Sequence, residues 1–337
     1  MYRIRLLGPE DHALQRELLC ERLPREDIDK RLGWIYRGNP AGPGHSWVAF
    51  DPTSGEPAGM TTFFPRRMWA FGRELAGAIG GDMYVRPKFR RRGIGAELFR
   101  VARGDMERLG VELMFGTPMP PNVSALLASG SSVPKEAVVR LARIVHGLSS
   151  KVPWLPRPAA VLIERLLAPR KHEALRLERV TGSDARIDAL WAETRGELAV
   201  ATVRDAAFYR WRFVDAPSQV QHAYVVLDRD RPIAACALEC VKGKLRIVDL
   251  LAPRARWRRA LQGIAGALDG QSGIEMRLAR ADAQNRRLWT SGLLARETMP
   301  MSMLTIEGVK APPGFIEGLH DPTRWYITWA DTDIDHA

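Results

Sequence analysis

Runs of β-branched and aromatic residues bounded by glycine and proline predict four strands in the first part of the chain. These strands cover residues 45–51, 60–71, 76–85 and 112–117. Between the last two, apolar residues recur with the spacing of an amphipathic helix, at Leu98, Phe99, Ala102 and Met106. Residues 134–148 also have helical periodicity and are predicted as a helix. This succession of strands and helices predicts an α/β fold.

The sequence repeats itself at a shift of 177 residues (211 minus 34). Residues 34–40, Trp-Ile-Tyr-Arg-Gly-Asn-Pro, recur as residues 211–217, Trp-Arg-Phe-Val-Asp-Ala-Pro. Residues 45–51 recur as residues 222–228 at the same shift. Two motifs are not expected to recur at the same shift by chance, so we infer an internal duplication.

Further along the chain the offset drifts, as insertions in loops would cause, but Asp82 still corresponds to Asp249. Each copy then has the same order of predicted elements. We therefore predict an N-terminal domain over residues 1–150 and a C-terminal domain over residues 176–337. The segment 151–175 contains four prolines and is predicted as a linker that carries one short apolar helix near residues 161–167.

The composition fits a globular protein of two domains, because 337 residues with 46% hydrophobic content can bury two cores. No stretch approaches the roughly 20 apolar residues of a membrane span, and the first residues lack the apolar core of a signal peptide. These features predict a cytoplasmic protein. Cys236 and Cys240 lie in one alternating apolar run, which favours core packing over a metal site.

The formal net charge of +11 favours anionic partners. Much of the excess lies in arginine clusters at residues 90–92, 254–259 and 286–287, scattered among structured segments. A nucleic-acid-binding tail would collect these charges in one run. This distribution disfavours nucleic-acid binding. A basic nucleic-acid- or glycan-binding module stays open as an alternative, and nucleic-acid binding requires one contiguous basic face and a steep salt dependence.

A basic glycine-containing loop follows the strand that ends at Val85 and precedes the amphipathic helix. Gly93 and Gly95 remove side chains where an anion would approach the backbone, and the amides at the start of the helix point towards that anion. A pyrophosphate is the natural ligand. The spacing fits neither a dinucleotide-binding fingerprint nor a P-loop. The alternative is a basic turn whose glycines are required only by backbone geometry.

Arg90, Gly93 and Gly95 after such a strand resemble the signature of the GNAT superfamily of acyl-CoA N-acyltransferases. The resemblance covers roughly residues 1–130 and implies two GNAT-like domains, each with a central twisted mixed β-sheet flanked by helices. It implies acetyl-CoA, or another acyl-CoA, as cofactor. The cofactor-binding residues implied by the resemblance are Met83, Val85, Arg90, Arg91, Arg92, Gly93, Ile94, Gly95 and Asn122.

The second copy lacks both glycines in the corresponding segment, residues 252–260. Side chains there would crowd a pyrophosphate, so we expect this copy to keep the fold without binding CoA. Its expected role is to shape the acceptor cleft or to hold the two halves together.

Acyl transfer to an amine requires removal of a proton from the ammonium and return of a proton to the thiolate, and it needs no metal. Asp82 is the only acidic residue in the strand 76–85, so we predict it as the base or ammonium anchor. Tyr84, two residues further on, is the candidate acid if no bulge intervenes. The family often takes this acid from a tyrosine on the next helix, but residues 122–130 contain none. The Val85 amide is the oxyanion donor by family analogy.

Arg37 and Asn39 are the candidate acceptor-binding residues, because they do not recur in the second copy whereas the neighbouring aromatic residues do. The predicted function is N-acyl transfer to a small amine or amino sugar. The repeated motif is similar to that of enzymes from bacterial surface-polysaccharide clusters. A non-catalytic CoA-binding or scaffold protein is the alternative, favoured if Asp82 is buried and paired with arginine.

Overall fold

The computed structural model describes residues 2–144, 154–159, 161–162, 172–266, 271–289, 291–306 and 311–332. The chain divides into two compact units. The first unit comprises Met1–Lys135, Pro300–Pro322 and Asp331–Ala337, and the second comprises Glu136–Met299 and Thr323–Ala330. Each unit contains a mixed sheet with helices, which confirms the predicted α/β fold with two similar domains.

The strands and helices are numbered in chain order. The strands are β1 Arg3–Leu6, β2 His45–Phe50, β3 Pro57–Ala70, β4 Arg73–Val85, β5 Leu113–Gly116, β6 Val138–Ile144, β7 Leu175–Arg179, β8 Val200–Thr202, β9 Gln221–Asp228, β10 Arg231–Val241, β11 Lys244–Leu251, β12 Gly273–Ala279, β13 Leu294–Met299, β14 Ser302–Thr305 and β15 Trp325–Tyr326. The helices are α1 His12–Cys20, α2 Arg25–Arg31, α3 Ile94–Met106, α4 Val123–Ala128, α5 Ala185–Thr194, α6 Ala206–Tyr209, α7 Trp257–Gly266, α8 Arg280–Ala283, α9 Arg286–Trp289 and α10 Phe315–His320.

The sheet of the first unit has the strand order β1-β2-β3-β4-β5-β14. Neighbouring strands are antiparallel except β4 and β5, which are parallel. The strands predicted in this region are confirmed as β2 to β5. Helix α3 places Leu98, Phe99, Ala102 and Met106 in the main hydrophobic core, as its apolar spacing predicts.

The sheet of the second unit has the strand order β13-β6-β12-β11-β10-β9-β7, again with one parallel pair, β11 and β12. Both units also contain a π-helical turn before their first long hairpin. The Gly38 amide bonds to the Gly33 carbonyl at 2.9 Å, and the Asp215 amide bonds to the Arg210 carbonyl at the same distance. π-Helical turns are rare, so their recurrence at the shift of 177 residues supports the duplication.

The two units differ from the predicted boundaries because the copies exchange a strand. Residues 134–148 were predicted as a helix of the first domain, but β6 is a strand that pairs with β12 and β13 in the second unit. In return, β14 pairs with β5 and completes the first unit. The helix prediction was wrong because apolar spacing in a short segment fits both a helix and a strand. The backbone hydrogen bonds that β6 makes with β12 and β13 stabilise the strand.

The predicted linker is described only at residues 154–159, 161–162 and 172–175, so most of the helix predicted near residues 161–167 lies outside the described residues. In the described parts of the chain, no helix has the length and apolar character required to cross a membrane.

Candidate active site

A cleft opens in the first unit where two parallel strands separate. β4 and β5 are paired only from Gly77 with Leu113 to Ile79 with Phe115. Beyond this point β4 continues to Val85, whereas β5 ends at Gly116. The gap leads into a cleft of about 410 Å³.

The lining of the cleft combines small residues of the strands with apolar, polar and basic side chains. It includes Gly80, Gly81, Asp82 and Met83 of β4, Phe99 and Arg103 of α3, Asn122 before α4, Arg22 and Arg31 near α1 and α2, and Ser302, Leu304 and Thr332 from the end of the chain. Because glycines occupy the point of strand separation, a ligand can reach the backbone there.

The predicted anion-binding loop lies between the end of β4 and the start of α3, over residues 86–93. Arg91 and Gly93 adopt left-handed backbone conformations, with φ of 61° and 76°. Gly93 is the N-cap of α3, a helix of 13 residues whose first-turn amides have no partner within the helix. The Nε of Arg90 donates to the Val85 carbonyl at 3.0 Å, which ties the loop to the strand. This arrangement can bind an anion through backbone amides.

Gly95 lies next to Met83, and a Cβ at Gly95 would lie 2.6 Å from the Met83 methyl group and would displace it. Met83 lines the cleft and, with Val85, packs against the core beneath α3. Asn122 also lines the cleft. The loop therefore adjoins the cleft wall where Gly95 lies next to Met83, and Asn122 belongs to the same wall, whereas Val85 and residues 90–95 are not among the residues that line the cleft.

Asp82 lies in the cleft wall but is only 2% exposed, with a left-handed φ of 47° at a bulge in β4. One carboxylate oxygen accepts from Arg22 Nη1 at 3.1 Å and Arg31 Nη2 at 3.0 Å. The other accepts from Arg31 Nε at 3.1 Å and the Tyr36 hydroxyl at 2.7 Å. Burial and the neighbouring carboxylate raise the pKa of Tyr36 well above its usual value, so this hydroxyl stays protonated as a donor.

These four hydrogen bonds occupy the four lone-pair directions of the Asp82 carboxylate. A base or an ammonium anchor needs a free lone pair directed towards the substrate. The geometry therefore favours a positioning role for Asp82 over the predicted role as base.

The second unit contains the same kind of network around Asp249, which is fully buried. Arg204 Nε donates to both Asp249 oxygens at 3.0 and 3.2 Å, and the Tyr209 hydroxyl donates at 2.8 Å. Thr328 supplies a further bond at 2.8 Å. Since the network persists in the copy without the glycine loop, it is a feature of the fold.

Tyr84, the predicted acid, is not among the residues that line the cleft. The prediction was conditional on the absence of a bulge in β4, and a bulge occurs there: Thr62 pairs with Gly81, whereas Met60 pairs with Tyr84. Burial raises the pKa of Tyr84, and the Glu21 carboxylate raises it further through charge and a hydrogen bond. A raised pKa makes this hydroxyl a weaker acid, so the structure does not favour the predicted role.

Arg37 and Asn39, the predicted acceptor-binding residues, are not brought to the cleft. The exposed Arg37 side chain contacts His12. Asn39 is buried, donates to the Pro65 carbonyl at 2.9 Å and accepts from the Ala41 amide at 3.0 Å. Asn39 thus fixes the turn before β2.

The corresponding loop of the second unit cannot hold an anion in the same way. It is shorter, with residues 252–256 between β11 and α7. The Glu197 carboxylate accepts from the Arg254 amide at 2.8 Å, which places a negative charge at this helix start. That the second copy does not bind CoA stays a prediction, and this carboxylate at the helix start is a physical reason for it.

The arginine cluster that follows this loop is largely neutralised within the second unit. Arg254 pairs with Asp282, Arg256 with Glu193 and Arg259 with Asp228. These ion pairs disfavour the cluster as a nucleic-acid-binding face. No group of residues suited to a metal ion occurs in the parts of the chain that are described.

Arg22 and Arg31, the two arginines of the cleft wall that bond to Asp82, were not predicted from the sequence. Neither lies in a motif or in a repeated segment, and their partner Asp82 is 60 and 51 residues away. Ser302, Leu304 and Thr332 were also missed, because only the exchanged end of the chain brings them to the cleft.

Comparisons with known proteins agree with this geometry. Residues 12–126 match the model of the acetyltransferase (GNAT) family. A probable N-acyltransferase from Enterococcus faecalis superposes with a TM-score of 0.65 at 13% identity, over 91% of this chain and 73% of that chain. Eis1 from Mycobacterium abscessus matches with a TM-score of 0.58 at 15% identity, over 90% of this chain and 74% of that chain.

A tandem GNAT protein from the clavulanic acid biosynthesis pathway is similar over 92% of this chain and 100% of that chain, with a TM-score of 0.53 and 14% identity. Comparison with curated protein sequences found no match. Residues 12–126 are thus similar to the acetyltransferase (GNAT) family, and the whole chain shares its fold with a tandem GNAT protein. Enzymes of this family generally use acetyl-CoA or another acyl-CoA.

Proposed function

We propose that the chain is an acetyl-CoA-dependent N-acyltransferase that acts on a small amine, with one cofactor site in the first unit. The observation that carries the proposal is that the left-handed loop at the start of α3 adjoins the cleft between β4 and β5, since Gly95 lies next to Met83 of the cleft wall. A long cofactor with a phosphate end and a thioester end needs both features: an anion-binding loop for the phosphates and an adjoining cleft for the thioester.

In this proposal the amides from Arg91 to Gly95 bind the pyrophosphate, and the side chains of the loop arginines add charge-assisted contacts. The backbone of Met83 and Val85 pairs with the extended arm of the cofactor, and Asn122 lies along the same arm. When bound, acetyl-CoA supplies an acetyl group activated as a thioester.

The reaction joins the amine nitrogen to the acetyl carbon as the carbon–sulfur bond breaks. The amine loses one proton and the thiol of CoA gains one. Among the described residues of the lining, Asp82 is the only carboxylate and its lone pairs are occupied. We therefore propose that the chain works mainly by positioning the amine, that water carries the proton, and that the Val85 amide stabilises the oxyanion.

A second candidate is a non-catalytic CoA-binding protein. It is supported by the burial of Asp82 and its pairing with two arginines, since an occupied carboxylate leaves the lining without a base. The two candidates share the cofactor site and differ in turnover.

A thiol-release assay separates them. Acetyl-CoA is incubated with a panel of amines, and free CoA is measured for the wild-type protein, Gly93→Glu and Ala255→Glu. Ala255 lies in the corresponding loop of the second unit and is exposed, so it provides a matched change of charge. We expect amine-dependent release by the wild type and Ala255→Glu, and none by Gly93→Glu. Binding of acetyl-CoA without release by any amine would support the non-catalytic candidate.

A further inference from the structure

The cleft connects the two faces of the first sheet. On one face, Phe63 of β3 packs against Phe99 of α3, with ring centroids 5.7 Å apart. On the other face, the next residue, Phe64, packs against the π-helical turn. Phe99 lines the cleft on the first side, and Arg22 and Arg31 line it on the second. Because the anion-binding loop leads into α3, the side with the two arginines is left for the acceptor.

The charges of the lining are unbalanced. Among the described residues of the lining, three arginines, Arg22, Arg31 and Arg103, accompany one carboxylate, Asp82, which is an excess of two positive charges. Charges of one sign in a narrow cleft raise the local concentration of ligands with the opposite sign. An amino sugar without an anionic group carries only its ammonium charge and would not use this excess.

The second unit shows how many arginines the buried aspartate requires. Asp249 is satisfied by one arginine, Arg204, which is fully buried. In the first unit, Arg31 takes this place with two hydrogen bonds to Asp82, and its side chain is 13% exposed. Arg22 is an additional arginine. The structural network therefore does not account for it.

Arg22 is also placed to contact a ligand. Its side chain is 36% exposed and it donates to Asp82 from Nη1 at 3.1 Å. A guanidinium group has five N–H donors in a planar fork, so most of them are left for a second anion. The bond to Asp82 fixes the orientation of the fork towards the cleft.

We propose that the acceptor amine carries an anionic group, a carboxylate or a phosphate, and that Arg22 binds this group on the α1–α2 side of the cleft. This inference rests on the proposed N-acyltransferase function. A guanidinium recognises both anions through paired hydrogen bonds, so the recognition chemistry is the same for an amino acid and for an amino sugar phosphate. Arg31 and Asp82 act as positioning residues for Arg22.

The test uses pairs of amines that differ only in the anion: an amino acid and its amide, and glucosamine 6-phosphate and glucosamine. Acetyl transfer and binding to the CoA-saturated protein are measured for the wild type, Arg22→Gln and Arg16→Gln. Arg16 of α1 is the matched control, because it lies six residues before Arg22 and pairs with Asp29 outside the cleft. We expect at least one anionic amine to be preferred over its partner by about tenfold or more in kcat/KM.

Arg22→Gln should remove this preference mainly by raising KM for the anionic amine, and Arg16→Gln should keep it. The affinity for CoA should be the same in all three proteins, which separates this inference from the proposed function. If the wild-type protein does not bind CoA, the proposed function itself fails.

Four results would overturn the inference. The first is that neither anionic amine binds or reacts better than its partner without the anion, and the second is that the preference survives Arg22→Gln. The third is that Arg22→Gln weakens the binding of CoA, which would assign the arginine to the cofactor. Finally, preference for succinyl-CoA over acetyl-CoA that depends on Arg22 would assign it to the transferred acyl group.

Discussion

Arg31 holds the Asp82 carboxylate through two hydrogen bonds, from Nε at 3.1 Å and from Nη2 at 3.0 Å. Arg204 makes the equivalent contact with Asp249 in the second unit, although that unit lacks the glycine loop. Because this buried ion pair occurs in both copies, its main role is structural. Its removal should therefore lower the free energy of unfolding.

Asp82→Asn should lower the free energy of unfolding by about 3 kcal/mol, because it leaves a buried arginine without its counter-charge. Asp249→Asn is the matched control and should cost a similar amount. Urea denaturation of the three proteins measures both effects. An Asp82→Asn variant with wild-type stability and a kcat lowered a hundredfold would restore Asp82 as the catalytic base.

Tyr84→Phe should leave kcat within about threefold of the wild-type value, since Tyr84 lies outside the lining of the cleft. A general acid typically contributes about 10²-fold or more to the rate. Steady-state kinetics with saturating acetyl-CoA measure this effect. A loss of that size with unchanged affinity for acetyl-CoA would show that Tyr84 is the acid after all.

The sequence predicted the fold well where local pattern and duplication agree. The strands β2 to β5 and the core positions of α3 follow from residue type and spacing, and the shift of 177 residues revealed the second unit. The loop at Gly93 was predicted because glycine has a specific backbone role there, as its φ of 76° illustrates.

Pairing between distant segments was not predictable in this way. Residues 138–144 carry an apolar spacing that suits a helix, and only the ladders with β12 and β13 made them a strand. Arg22 reached the site through a contact over 60 residues, which no local motif records. Arg37 and Asn39 were chosen as acceptor-binding residues because they do not recur in the second copy. A residue can also differ between the copies for a purely local reason, such as the turn that Asn39 fixes.

The exchange of strands predicts that residues 1–150 alone will not fold stably. Without β14 the edge of β5 is exposed, and Leu304 is missing from the core of the first unit. We expect this fragment to be aggregated or unfolded and not to bind acetyl-CoA, although it contains the whole glycine loop. Circular dichroism and calorimetry measure the two properties. A folded fragment that binds acetyl-CoA would show that the exchanged strand is dispensable.

The Arg5–Asp11 ion pair predicts a pH-dependent contribution to stability. Hydrogen bonds from Arg5 and from the Gly8 amide lower the pKa of Asp11 to about 2. The pKa is depressed, so the contribution is present above about pH 4, the unfolded value, and is lost as the pH falls towards 2. Asp11→Asn should therefore lower the unfolding midpoint at pH 7 and have a smaller effect near pH 3. An equal effect at both pH values would contradict this assignment.

Calorimetric titration of acetyl-CoA into the full chain tests most directly whether a single cofactor site lies at the start of α3. We predict one equivalent bound by the wild type and by Ala255→Glu, and no binding by Gly93→Glu that retains the wild-type thermal unfolding midpoint. Two equivalents for the wild type, or undiminished affinity in Gly93→Glu, would contradict the assignment of the site to this loop.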